Sequence, residues 1–281
     1  MDKNYMLGLY EKAMPGNLSW EEKFHIAKEA GYDYIEISID ETDEKLKRLD
    51  MSMEDRMELH SLMAGTGVKI RSMCLSGHRK YPMGSSDKAI QEKSMEIMEK
   101  AIVLADDLGV RTIQLAGYDV YYDESTEETK KIFLKNLKKA TNMAAAYGIS
   151  LGFETMENEF MNTVEKAMKY VTLTGSAYLS VYPDLGNITN AAKTYRNDVL
   201  EDIELSRNHI ISMHLKETVP GKFREIPFGT GHVNFEDGVK KAWDLGVRRF
   251  VTEFWYTGSP SWREDIISVS KMFHEILERQ D

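Results

Sequence analysis

Four side chains of metal-ligating type stand at the ends of short apolar runs in this 281-residue chain. Glu154 closes Ile149-Ser-Leu-Gly-Phe-Glu154, and Asp184 follows Tyr178-Leu-Ser-Val-Tyr-Pro183. His214 closes Ile210-Ile-Ser-Met-His214, and Glu253 closes Arg249-Phe-Val-Thr-Glu253. The steps between them are 30, 30 and 39 residues. One βα unit takes about that length, so the four residues recur at one rim of a repeated βα structure. Three carboxylates and one imidazole, each from a different strand, make a site for a hard divalent cation. The oxygen-rich set favours Mn²⁺, Mg²⁺ or Co²⁺, and the affinity order also admits Zn²⁺. Taken singly, each residue has a plainer reading. Glu154 or Glu253 reads equally as half of a structural salt bridge, Asp184 after Pro183 as a turn or helix cap, and His214 as a satisfied core histidine. Recurrence at four successive strand ends turns the set into a metal-site expectation.

The elements that must carry these residues are visible as a repeat. A helix-like tail, a glycine and a β-branched run recur at Gly31 before residues 34–39, at Gly67 before 68–73 and at Gly109 before 110–115. They recur again at Gly148 before 149–154 and at Gly246 before the run ending in Glu253. Each glycine fits a position just past a helix, where φ > 0 turns the chain into the next strand. Residues 6–10, 178–182 and 210–214 bring the strand candidates to eight. Amphipathic segments lie between them at 20–30, 88–108, 127–147, 163–173, 235–245 and 262–279. The sixth unit is the weakest, and its helix is drawn from 197–208. Eight alternating units predict one α/β domain over residues 1–281, a (β/α)₈ TIM barrel. A doubly wound sheet would carry a phosphate fingerprint on its first turn, which Gly8-Leu-Tyr-Glu-Lys12 lacks.

Composition sets the outer limits. The chain is 42% hydrophobic and 29% charged, enough for a large core. Its net charge of −10 disfavours nucleic acid as a partner. No apolar run reaches the roughly 18 residues of a membrane span, and the N-terminus does not read as a secretion signal. A single cysteine, Cys74, excludes an internal disulfide and suits a reducing cytoplasm. An acidic chain that takes an anionic substrate needs a local cluster of donors. Homo-oligomerisation is left open.

Further motifs carry a resemblance along nearly the whole chain. They are Leu7-Gly-Leu-Tyr-Glu-Lys-Ala13, Ile35-Glu-Ile-Ser-Ile-Asp-Glu-Thr-Asp43, Arg48-Leu-Asp50, Ser72-Met-Cys-Leu-Ser76 with His78-Arg79, and Ile113-Gln-Leu-Ala-Gly-Tyr-Asp-Val-Tyr-Tyr122. Tyr182-Pro-Asp184, Gly186-Asn187, His214-Leu-Lys216, Pro220-Gly221 and Pro227-Phe-Gly229 continue them. On these motifs the chain resembles the xylose-isomerase-like barrels, and within them the L-ribulose-5-phosphate 3-epimerases of bacterial L-ascorbate and pentose use. The resemblance implies a metal held by Glu154, Asp184, His214 and Glu253, with Glu154 and Glu253 also acting as the catalytic acid and base. It implies reversible C3 epimerisation of L-ribulose 5-phosphate and L-xylulose 5-phosphate.

Chemistry at the residues is consistent with that implication. The C3 proton of a ketose is α to the C2 carbonyl, and inverting C3 requires removal on one face and return on the other. Two glutamates from different strands can flank that carbon. Around them, Glu36, Gln114, His78 and Arg79 are candidates for sugar hydroxyls, each with a structural alternative. Lys216 is the first candidate for phosphate, helped by backbone N–H groups at Gly229 and Gly231. Lys222 and Arg224 in the same loop read as solvated charges. Tyr118, Tyr122, Trp255 and Trp262 are candidate pocket walls. An aldose–ketose isomerase, a free-ketose 3-epimerase and a non-catalytic sugar-phosphate sensor are the alternatives. A DNA-repair nuclease is disfavoured by charge and by too few histidine ligands.

Overall fold

The computed structural model of the chain describes residues 3–280. Eight parallel strands alternate with helices among the described residues. They are β1 (Met6–Tyr10), β2 (Tyr34–Ile39), β3 (Lys69–Leu75), β4 (Thr112–Ala116), β5 (Ser150–Glu154), β6 (Leu179–Val181), β7 (Met213–Leu215) and β8 (Arg249–Thr252). The helices, in chain order, are α1 (Trp20–Glu29), α2 (Asp43–Lys47), α3 (Met53–Thr66), α4 (Lys88–Leu108), α5 (Glu127–Ala146), α6 (Val164–Thr174), α7 (Leu185–Tyr195), α8 (Val199–Glu204), α9 (Phe235–Asp244) and α10 (Trp262–Glu278). The sheet runs β6-β5-β4-β3-β2-β1-β8-β7. Bridges from Val181 to Ile210 and from Asp184 to His214 bring its two ends together, which closes the ring. This is the (β/α)₈ barrel that the repeat predicts.

Local sequence sets the boundaries. Ser19 and Glu22 form a capping box at α1, as do Ser52 and Asp55 at α3. Gly31, Gly67, Gly109, Gly148 and Gly246 all have φ between 66° and 93°, as their place between helix and strand requires. Alternation along each strand then divides the core. Ile35, Ile37 and Ile39 pack outward with Leu7, Leu9, Met73, Leu75, Leu115 and Phe153 in the layer shared with the helices. Tyr34, Tyr10, Cys74, Tyr182 and Val251 form a separate cluster inside the barrel. Glu36, between Ile35 and Ile37, therefore points into that interior.

The sixth unit corrects the sequence reading. Its main helix is α7, starting directly after Asp184, and only the short α8 falls in the expected 197–208 segment. The run Leu185-Gly-Asn-Ile-Thr-Asn is rich in turn formers, which obscures a helix in propensity. Burial and the Asp184 cap outweigh it, since residues 185–191 are all buried. Among the described residues, no helix is long and apolar enough to cross a membrane.

Candidate metal centre and active site

The barrel brings the four expected ligands to one point. Glu154 ends β5, His214 is central in β7, and Glu253 is the first residue beyond β8. Asp184 lies just past β6 and bridges to His214. Ligand atoms from all four lie within 4.8 Å of one another, and no member is more than 5% exposed. Asp184 also does the work of its plainer reading. Its Oδ1 accepts the Asn187 N–H at 2.6 Å as the cap of α7, while Oδ2 has no hydrogen-bond partner. Oε2 of Glu253 is likewise without one. Two orphaned, buried carboxylate oxygens beside an imidazole are what a hard cation would satisfy.

Neighbouring side chains hold these ligands in place. The His214 ring lies 2.6 Å from Glu36 Oε1 through Nε2, while Nδ1 faces Glu154 Oε1 at 3.2 Å and Glu253 Oε2 at 3.6 Å. Donation from Nε2 to Glu36 fixes the tautomer that leaves the Nδ1 lone pair toward the cluster. Tyr182 donates to the other Glu36 oxygen at 2.9 Å. The Gln114 side-chain amide donates to Glu154 Oε2. Glu36 and Gln114, expected near sugar hydroxyls, thus sit behind His214 and Glu154 and orient them. Lys216, two residues past His214 and on the same strand face, reaches in with Nζ 3.2 Å from both Asp184 Oδ2 and Glu253 Oε2.

Electrostatics report the crowding of acid groups. Burial raises the Asp184 carboxyl well above the ordinary range, opposed by Lys216 and reinforced by Glu253 and Glu154. Burial also raises Glu154, and the Glu253 charge adds to it. Burial pushes Glu253 up as well, but Lys216 and His214 overcome that push and bring it down to about 2. Burial disfavours charge on His214, yet Glu36 and Glu253 raise it well above the usual imidazole range. Protons on Asp184 and His214 and a bound divalent ion are alternative ways to balance the same excess of carboxylate. Ion binding would release those protons.

The remaining expected residues lie elsewhere. His78 is buried, with Nε2 3.1 Å from the Ser94 carbonyl of α4, and does not enter the cluster. Arg79 stands at the mouth, its guanidinium 4.5 Å over the Tyr121 ring and 3.7 Å from Glu41. The Gly229 N–H donates to Glu217 Oε2 at 3.0 Å, and Gly231 packs against Glu217 and Thr218. With Lys216 drawn into the carboxylate cluster and the Gly229 amide already held by an acid side chain, the expected phosphate grip is not assembled. The sequence reading missed Glu217 because one carboxylate tying a loop together leaves no periodic trace. Trp255 packs edge-on to Tyr10 beside the cluster, whereas Trp262 packs on Tyr256. Tyr118 is buried, and Tyr122 is exposed with its hydroxyl on Glu41.

Comparison with known proteins agrees with this geometry. The family model described as xylose isomerase-like TIM barrel matches residues 24–271. The chain is 44% identical to L-ribulose-5-phosphate 3-epimerase UlaE of Salmonella heidelberg (strain SL476), over 84% of this chain and 82% of that protein. It is 45% identical to the putative L-ribulose-5-phosphate 3-epimerase SgbU of Escherichia coli (strain K12), over 90% of each. Among solved structures, a D-tagatose 3-epimerase-like protein superposes with TM-score 0.79 at 19% identity, over 98% of both chains. An L-ribulose 3-epimerase does so with TM-score 0.78 at 18% identity, over 98% of this chain and 95% of that one. These structural likenesses speak for the fold. At the sequence identity found, over most of both chains, the protein belongs to the xylose isomerase-like TIM-barrel family and, within it, to the L-ribulose-5-phosphate 3-epimerase family of isomerases.

Proposed function

We propose that this protein interconverts L-ribulose 5-phosphate and L-xylulose 5-phosphate by inverting C3, as a metal-dependent cytoplasmic enzyme. The observation that carries the reading is the convergence of Glu154, Asp184, His214 and Glu253 within 4.8 Å, in a chain whose curated relatives bear that activity in their names. A divalent ion, Mn²⁺, Mg²⁺, Co²⁺ or Zn²⁺, supplies an electrophile that stabilises negative charge developing on the substrate when C3 loses its proton. Asp184 and His214 hold it, with Glu154 and Glu253 completing the set. The protein's own part is proton traffic. Glu154 on β5 and Glu253 after β8 are separated around the ring by β6 and β7, so their carboxylates approach a central substrate from two directions. One removes the C3 proton and the other returns a proton to the opposite face, and the roles exchange in the reverse reaction. Gln114 holds Glu154 in place. Lys216 does the same for Glu253 with its charge.

Incubation with L-ribulose 5-phosphate in D₂O, followed by NMR, tests the reading. Deuterium at C3 of both epimers is expected. Deuterium at C1 or C2 would make the protein an aldose–ketose isomerase, and no exchange would leave a sensor. Glu154→Gln and Glu253→Gln should each abolish epimerisation. Normal turnover in either would show that its carboxylate has no part in the chemistry.

A further inference from the structure

The substrate reading above leaves a phosphate to be placed, and the centre itself repels it. Lys216 is 4% exposed and stands between Asp184 and Glu253, so a dianion reaching it would meet both carboxylates. The loop amides are no freer. Glu217 takes the N–H groups of Thr218 (3.1 Å), Gly229 (3.0 Å) and Val233 (3.2 Å).

Cationic groups with capacity to spare occur one layer further out, on the loops that follow β3 and β7. Arg79 is only 17% exposed at its side chain, and its buried Nε has no hydrogen-bond partner. Its contact with Glu41, at 3.7 Å, is loose. Arg224 was expected to be a solvated charge. It lies instead with Cζ 5.6 Å from the Trp255 ring centroid, and it spends Nη2 on Glu157 at 3.1 Å. Tyr121 joins the two. Its ring lies under Arg79, and its hydroxyl donates at 3.1 Å to the same Glu157 oxygen that Arg224 uses. Each guanidinium acts electrostatically on Tyr121, and Arg79 acts on Arg224, so the two charges share one neighbourhood.

That neighbourhood adjoins the centre. Lys216 Nζ lies 5.9 Å from the same Trp255 ring, so one indole separates Arg224 from the carboxylate cluster. In a pentulose 5-phosphate, C4, C5 and an ester oxygen separate C3 from phosphorus, a similarly short reach. Two planar donor groups on opposite loops suit a tetrahedral dianion, because each can present paired N–H groups to its oxygens.

We propose that Arg79 and Arg224 are the clamp for the substrate's 5-phosphate, with Glu157 positioning Arg224 and Tyr121 between them. The clamp rests on the phosphopentulose reading, and it gives the barrel its preference for phosphorylated over free ketose.

The test compares L-ribulose 5-phosphate with L-ribulose as substrates for the parent, Arg79→Met, Arg224→Met and the double variant. The readout is the ratio of the two kcat/KM values. Loss of a charge-assisted bond should lower that ratio roughly tenfold to a hundredfold per residue, and further in the double variant. Arg79→Lys should fall between parent and Arg79→Met, because it keeps the charge and loses the paired donors. Metal content and melting temperature, measured alongside, identify any variant that has lost its fold. In a folded double variant, an unchanged ratio overturns the clamp, and so does an equal loss on both substrates. Calorimetric titration with inorganic phosphate separates this result from failure of the function itself. Were the parent inactive on both substrates, phosphate binding present in the parent and lost in the double variant would still support the clamp. Equal phosphate binding in both would overturn it.

Discussion

Two buried ionic clusters sit at the same end of this barrel, and they are built on opposite plans. Around Glu11, just past β1, one carboxylate receives Lys23 (2.8 Å), Lys45 (3.0 Å), both terminal nitrogens of Arg48 (2.6 and 2.8 Å) and the Ser38 N–H (2.9 Å). Cations outnumber the acid, and both carboxylate oxygens are bonded. Burial alone would raise the Glu11 carboxyl, but Arg48, Lys23 and Lys45 hold it far below the usual range. Around His214 the ratio is reversed. Glu36, Glu154, Asp184 and Glu253 share one lysine and one imidazole, and two oxygens have no hydrogen bond. A closed cluster serves the fold. An open one, with excess acid and orphaned acceptors, is built for something that arrives later.

The largest expected effect lies in the open cluster. Asp184→Asn keeps the cap on α7 through its amide oxygen and removes a ligand charge. Activity should fall by about a thousandfold or more, since the cation's contribution amounts to several kcal/mol. Elemental analysis of the purified variant should show metal lost in parallel with activity. Full metal content would show that the centre does not depend on Asp184.

The closed cluster should respond in the other currency. Glu11→Gln leaves three cations around an uncharged amide, and breaking such a buried set costs about 3–5 kcal/mol. Urea unfolding should register this loss while the folded variant keeps its metal. A stability within 1 kcal/mol of the parent would mean that water and nearby acids screen Lys23, Lys45 and Arg48, and the contrast between the clusters would collapse.

The contrast also explains what the sequence discloses. Glu154, Asp184, His214 and Glu253 are legible because each ends an apolar run and the runs repeat with the barrel unit. The glycines at helix exits are legible for the same reason. The Glu11 cluster is silent, because its partners Lys23, Lys45 and Arg48 lie on three separate segments that only the fold brings together. Glu36 was legible as a polar residue inside a strand, but not as the residue behind His214. That role depends on facing β7 across the barrel interior. Lys216 was placed on the right strand face but assigned the wrong partner, since charge alone does not say whether a lysine meets a phosphate or a carboxylate. The sixth-unit helix was displaced because burial and a cap, invisible in propensity, start it at Leu185.

The smallest effect sharpens the contrast through a third buried ionisable group, His78, which has no charged partner of its own among the groups that set its titration. Burial holds it down at about 4, from an ordinary 6.5, and its bond to the Ser94 carbonyl offsets this only in part. Between those values the unfolded chain takes up a proton that the folded chain refuses. Its contribution to stability is therefore complete above pH 6.5 and is lost as pH falls toward 4. The loss should reach about 2 kcal/mol by pH 5. His78→Gln keeps a side-chain N–H for Ser94 and removes the titration. Its unfolding free energy should decline about 2 kcal/mol less than the parent's between pH 7 and pH 5, a window above most carboxylate titration. With metal in excess in both samples, the open cluster contributes equally and cancels in the difference. If the two proteins lose stability in parallel, the charged form of His78 is accommodated in the fold, and neutral burial next to α4 does not account for its low proton affinity.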